Sequence, residues 1–271
     1  MSALGRLGEL WRHRELVLNL VARDLKVRYK NSFLGVLWSL INPLLMTLVF
    51  TLVFTVMMPN NAVENFPAFV LCGILPWNFF ATSIVGATGS IVGNSHLIKK
   101  AHFPYEALPI ALVLSNLVNF VIALAVLFAM IFAFGIPFTA ALLILPLVVL
   151  VQLLFTLGVG LLLATINVFF RDTQMVMEVL ILAWFFLTPV FYPIDILPRH
   201  YLFLGLEVDV WRWMQILNPV ASLVSFYREV LYYGVLPGVD FFARTFLTAA
   251  AVFTIGYSAF DRFRGAFGEE L

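Results

Sequence analysis

Gln152, Glu178 and Arg244 stand inside long apolar runs, where a reaction carried out within a membrane would need a reactive polar group. An ionisable residue at such depth marks a functional site by default. Glu178, however, follows Asp172 by six residues, within two helical turns of a charged turn, so an interfacial position is preferred to a catalytic one. Three scattered groups make no proton relay. The histidines are His13, His96, His102 and His200, with no pair at the i, i+4 spacing of a helical metal site. No G-x-x-x-x-G-K-[ST] string occurs, and none of Lys26, Lys30, Lys99 and Lys100 follows a glycine, as a phosphate-cradling loop requires. No catalytic residue, metal site or nucleotide site is therefore expected, and both an enzyme and an ion-coupled carrier are disfavoured.

The elements that carry these residues are apolar to an unusual degree. Of the 271 residues, 62% are hydrophobic and 11% charged, with a mean hydropathy of +1.01. A soluble domain carries about 25% charged residues, so this chain lacks the charge to clothe a soluble core and belongs in a membrane. Its single cysteine, Cys72, lies in an apolar stretch and can form no internal disulfide.

A helix needs about 20 apolar residues to cross about 30 Å of hydrocarbon. Spans are expected near 33–57, 67–92, 108–134, 140–169, 175–192 and 241–260. The fold class is thus an all-α integral membrane protein: an interfacial region over 1–32, a domain of six transmembrane helices over 33–260, and a tail over 261–271. The string LNPVASLVSFYREVLYYG, Leu217 to Gly234, has a helix start at Asn218-Pro219 and a stop at Gly234. Its helix is too short to cross and contains Arg228 and Glu229, so it is read as re-entrant or interfacial within an outward segment, 193–240.

Lysine and arginine set the orientation. Arg6, Arg12, Arg14, Arg23, Lys26, Arg28 and Lys30 precede the first span, Lys99 and Lys100 lie in the second loop, Arg171 in the fourth, and Arg262 and Arg264 in the tail. The other side holds Arg199, Arg212 and Arg228. Both termini are expected in the cytoplasm.

From Val17 to Lys30 the helical period gathers Leu16, Val17, Leu18, Leu20, Val21, Leu25 and Val27 on one broad side. Asn19, Arg23, Lys26 and Lys30 gather on the other, the pattern of an amphipathic helix along a surface. Asp24 and Arg28 fall on the apolar side four residues apart, where opposite charges meet. A lipid anchor and a docking helix for a cytoplasmic partner both fit. In GNSHLIKKAHFPYEALP, Gly93 to Pro109, the prolines leave room for a short helix from Ser95 to Ala101. Arg171 and Asp172 make a charged turn in which Asp172 can cap the fifth span. The outward segment carries Tyr201, Phe203, Trp211 and Trp213, residues of an aromatic belt.

Three strings add a resemblance. RDLKVRYKNSFLGVLWSLINPL, NVFFRDTQMVMEVLILAWFFLTPVFYP and LNPV, in this order and spacing, resemble the permease subunits of bacterial ABC exporters for polysaccharides and teichoic acids. The resemblance implies a homodimer of six-span subunits in the bacterial cytoplasmic membrane, surrounded by membrane lipids and moving a lipid-linked polysaccharide of O-antigen, capsule or teichoic-acid type. It implies two separate ABC ATPase subunits that bind ATP and Mg, no cofactor on this chain, and no nucleic acid. The docking surface it implies comprises Ser95, His96, Leu97, Ile98, Lys99 and Lys100, with Arg23, Lys26 and Lys30, and a further contact at Arg171 and Asp172. Its channel walls are the first and fifth spans, here with Phe33, Trp38, Trp184, Phe185, Phe186, Phe191 and Tyr192. Of these Trp38, Trp184, Phe191 and Tyr192 are the expected lining, Trp184 and Phe191 sharing a helix face seven residues apart. The outward segment would help form an external gate. A membrane-embedded transferase of glycan assembly, and a permease of the same architecture for a small drug or lipid, are the alternatives.

Overall fold

The computed structural model describes residues 13–30, 35–57, 63–100, 103–203 and 206–271. Arg6, Arg12, Phe33, Ala101 and His102 lie outside them. The chain is mostly helical. Helix α1 (Arg14–Tyr29) is followed by α2 (Trp38–Thr51), which continues as a π-helical stretch to Met57. Then come α3 (Phe66–Ser90), the short α4 (Ser95–Lys100), α5 (Ala107–Ala133) and α6 (Leu145–Phe169). Helix α7 (Thr173–Leu187) leads to a hairpin of β1 (Tyr201–Phe203) and antiparallel β2 (Leu206–Val208). The chain ends with α8 (Val210–Leu217), α9 (Pro219–Leu231), α10 (Val239–Phe263) and α11 (Phe267–Glu270).

Among the described residues four helical runs are long and apolar enough to cross a membrane: Phe66–Ser90, Ala107–Ala133, Ala140–Phe169 and Val239–Glu270. They coincide with the second, third, fourth and sixth expected spans. Helix α2 falls in the first expected span, and Leu40–Val49 is its apolar part.

Two boundaries differ from expectation. The fifth span was expected to reach Tyr192, but α7 has 15 residues and stops at Leu187. Thr188 is extended (ψ 133°) because it precedes Pro189, whose ring disfavours a helical residue before it. Trp184 and Phe191 therefore do not share a helix face. The tail over 261–271 is not a separate segment either: α10 runs through Asp261, and after a 3-10 turn at Arg264–Ala266 α11 returns Phe267 to a fully buried position.

Helix α3 is the centre of the bundle, buried along most of its length and packed by α2, α5, α6, α7 and α9. Helices α6 and α10 approach most closely, because Gly158 faces Gly256: a Cβ on Gly256 would stand 2.0 Å from the Gly158 carbonyl oxygen. Small residues let membrane helices touch backbone to backbone in this way. Helix α9 starts where the sequence predicts, with Pro219 in its first turn and the Asn218 side-chain oxygen accepting from the Ala221 amide. It then turns out to be almost wholly buried beside α3 and α6.

Helix α1 packs against α5. It buries a narrower stripe than expected, Val17, Leu20 and Val21, while Leu18 and Val27 of the predicted apolar side are exposed.

Candidate functional site

At one end of the bundle a compact apolar cluster joins elements that are distant in sequence. It unites Val17, Leu20 and Val21 of α1, Ile98 of α4, Leu108 of α5, Val168 of α6, and Phe260 and Phe267 of the last helices. Helix α4 is SHLIKK itself; Ile98 is its buried residue, whereas His96, Lys99 and Lys100 point to solvent. Ser95 and Leu97 are half-buried. Ile98 thereby roots α4 in the cluster at the ends of these helices. The cluster is tied by polar contacts too, with Arg264 reaching the buried Glu106 carboxylate at 3.3 Å and Asp261 at 3.3 Å.

The structure brings Arg23 to this end, where its guanidinium meets Asn94 Oδ1 at 3.5 Å, and leaves Lys26 and Lys30 exposed on the same helix. Arg171 and Asp172 are exposed in the turn before α7. Asp172 makes no side-chain cap, contrary to expectation; Thr173 Oγ1 bonds the Phe170 carbonyl there instead. The expected ion pair of Asp24 with Arg28 is also replaced. Asp24 accepts from the neighbouring Arg23 at 3.0 Å, and Arg28 donates to Asn116 Oδ1 at 2.7 Å. The cause is the docking of α1 on α5, which offers Arg28 a buried amide oxygen that the helix alone could not.

At the other end stands a site that the sequence reading overlooked. Arg228 of α9 is buried and donates to the carbonyls of Pro189 (2.6 Å), Val190 (2.5 Å) and Tyr192 (3.1 Å), the stretch where α7 has broken. Its guanidinium lies 3.7 Å from the centre of the Phe69 ring. Arginine suits this place, because its planar fork offers five donors at once. Gly73 makes the space, since a Cβ there would lie 2.6 Å from the Val190 oxygen and 3.0 Å from Arg228 Nη2. Just beyond, burial raises the Tyr232 and Tyr233 phenols above their ordinary pKa. The signal available in the sequence was a cation inside an otherwise apolar helix.

The three deep polar residues prove to have different tasks. Gln152 is fully buried, donates to the Pro76 carbonyl at 2.7 Å and accepts from the Tyr227 hydroxyl at 2.6 Å. Arg244 donates to the Gln215 carbonyl at 3.2 Å, fastening α10 to α8. Glu178 is exposed on α7, among Met175, Val179 and Leu182.

The four aromatics are not gathered in one wall. Trp38 is 47% exposed and lines a cavity of about 400 Å³ between α2, α3 and α5 that contains none of the other three. Trp184 is turned inward, its Nε1 donating to Asn218 Oδ1 at 2.9 Å and its ring edge-on to Phe80. Phe191 and Tyr192 belong to a ring cluster with Phe185 and Phe186.

Residues 15–232 match the ABC-2 type transporter family. The chain is 38% identical over 263 residues to the O-antigen export system permease protein RfbA of Myxococcus xanthus, covering 97% of this chain and 98% of that protein. It is 30% identical over 258 residues to the O-antigen export system permease protein RfbA of Klebsiella pneumoniae, with 95% of each covered. Over 223 residues it is 24% identical to the polysialic acid transport protein KpsM of Escherichia coli, covering 81% and 80%.

Proposed function

Because the chain belongs to the ABC-2 type transporter family, we propose that it is the permease subunit of an ATP-driven exporter that moves a lipid-linked polysaccharide across the bacterial cytoplasmic membrane. The polymer is of the O-antigen, capsule or teichoic-acid kind. The chain itself performs no bond chemistry; ATP and Mg are bound by two separate ATPase subunits. The carrying observation is Ile98, through which the exposed basic helix α4 is rooted in the cluster that joins α1, α5, α6 and α10. A partner gripping Ser95 to Lys100, with Arg23, Lys26, Lys30, Arg171 and Asp172 nearby, would move the spans as it moves that helix.

The same reading has further parts. There are six crossings with both termini in the cytoplasm; α2 and α7 supply the two shorter ones, and α8 and α9 re-enter from outside. Two copies associate. An ionisable side chain within a span faces a bundle interior or a water-filled cavity, and Glu178 stands on an apolar face of α7 that this chain leaves uncovered. Trp38, Phe191 and Tyr192 contribute to the polymer path. Trp184, whose Nε1 donates to Asn218 Oδ1, contributes from a separate position.

Purifying the tagged chain from its own membrane tests the proposal. An ATPase subunit is expected to co-purify in equal amount. A lone chain with glycan-transferase activity would overturn the reading.

A further inference from the structure

The cavity lined by Trp38 is walled by amides. Asn42 of α2, Asn78 of α3, and Asn116 and Asn119 of α5 line it, with Arg28 at its edge. Each helix presents its set at helical spacing: Trp38, Asn42 and Met46; Asn78 and Thr82; Asn116 and Asn119. At 1.5 Å per residue, Asn116 stands about 14 Å along α5 from Ala107, and Asn78 about 18 Å along α3 from Ser90. The groove thus rises from the α4 end of the bundle well into the span region. Amides at that depth are costly unless they find partners. Asn116 is 2% exposed; its oxygen is taken by Arg28, yet its Nδ2 has no hydrogen-bond partner among the described residues. A donor is left over in a groove whose volume, about 400 Å³, lies in the range of ligand sites.

Resting on the reading of this chain as a glycolipid exporter, we infer that the groove is a saccharide subsite, taking the hydroxylated sugar ring next to the lipid phosphate. A carboxamide has one acceptor and two donors, and a sugar hydroxyl both donates and accepts. A phosphate only accepts, and would leave the amide oxygens unmatched. The half-exposed Trp38 ring adds an apolar face for the sugar's C–H side. The rest of the ligand has a place as well. A second cavity of about 910 Å³ shares Asn119 with the groove and runs between α1 and α5, with Lys26 and Lys30 on its rim and Val118 and Ile122 on its wall. Basic rim and apolar wall suit the phosphate and the hydrocarbon chain.

The test uses the complex of this chain with its ATPase in lipid nanodiscs, without ATP. The probes are farnesyl diphosphate bearing one glucose or one galactose, farnesyl diphosphate alone, and the free hexoses, with affinity read by thermophoresis. At least one glycosylated probe should bind about tenfold more tightly than the bare diphosphate. Asn42→Leu with Asn78→Leu should bring that ratio to about one while leaving the bare diphosphate unchanged, since neither side chain touches the second cavity. If the double variant does not melt cooperatively, Asn42→Leu alone, at an exposed position, should lower the ratio about threefold. Equal affinity of all lipid probes, or a ratio that survives the substitutions, overturns the inference. ATP-driven export by the same purified complexes, reconstituted in sealed vesicles, keeps the two readings apart: export without sugar preference removes the subsite alone, and no export removes the transport function.

Discussion

Arg228 holds together a part of the chain that has no regular structure of its own. With α7 ended at Leu187, the carbonyls of Pro189, Val190 and Tyr192 lack helical partners, and one guanidinium serves all three. Removing it leaves buried acceptors unpaired, at about 1–3 kcal/mol for each group that finds no water. Arg228→Met should therefore destabilise the chain by about 3 kcal/mol in detergent melts, and Arg228→Lys should recover less than half of that, a point charge lacking the fork. Wild-type melting of Arg228→Met would show that the segment after α7 does not depend on the clamp. In the sequence, Arg228 and Glu229 were visible as charges in an apolar helix, which argued against a crossing. Their targets were not visible, because the broken backbone of another segment supplies them. The asparagines were illegible for a related reason: an amide carries no charge, and nothing in the sequence marks four of them as sharing one groove.

Among the elements, α4 was the most legible. Prolines at 104 and 109 and the run LIKK announced a short basic helix, and SHLIKK is the helix found. What periodicity over six residues could not give was which side is buried, and Ile98 settles that. On the proposed function, Ile98 and its neighbours would divide the labour. Lys99→Glu with Lys100→Glu reverses two exposed charges and should lower recovery of the ATPase in a pull-down severalfold, with insertion into the membrane unchanged. Ile98→Ala removes buried methyl groups, costing about 2–4 kcal/mol locally; ATPase recovery should persist while export falls. Identical behaviour of the two variants would contradict the division between grip and transmission. The ends of α7 and α10 were less legible, since apolar composition runs on past Leu187 and charge begins before Phe267. Backbone chemistry stops the first at Thr188-Pro189, and a buried phenylalanine carries the second onward.

For the whole molecule, hydropathy and basic residues were sufficient to outline a multi-span bundle, but the pairing of α6 with α10 through Gly158 and Gly256 could be read only from the packing. Sidedness is testable directly, because Cys72 is the single cysteine and Cys72→Ala gives a clean background. With a membrane-impermeant maleimide on intact cells whose outer barrier has been opened, Leu202→Cys should be labelled and Glu269→Cys should not until the membrane is permeabilised. Labelling of both, or the reverse pattern, would refute the orientation. The central claim meets its most direct test in sealed vesicles holding this chain and its ATPase, with lipid-linked polysaccharide supplied on the ATPase side. The account predicts that polymer becomes protected inside the vesicles only while ATP is hydrolysed, and that omitting either subunit abolishes the transfer. Polymer that remains on the ATPase side, although the assembled complex hydrolyses ATP, would contradict it.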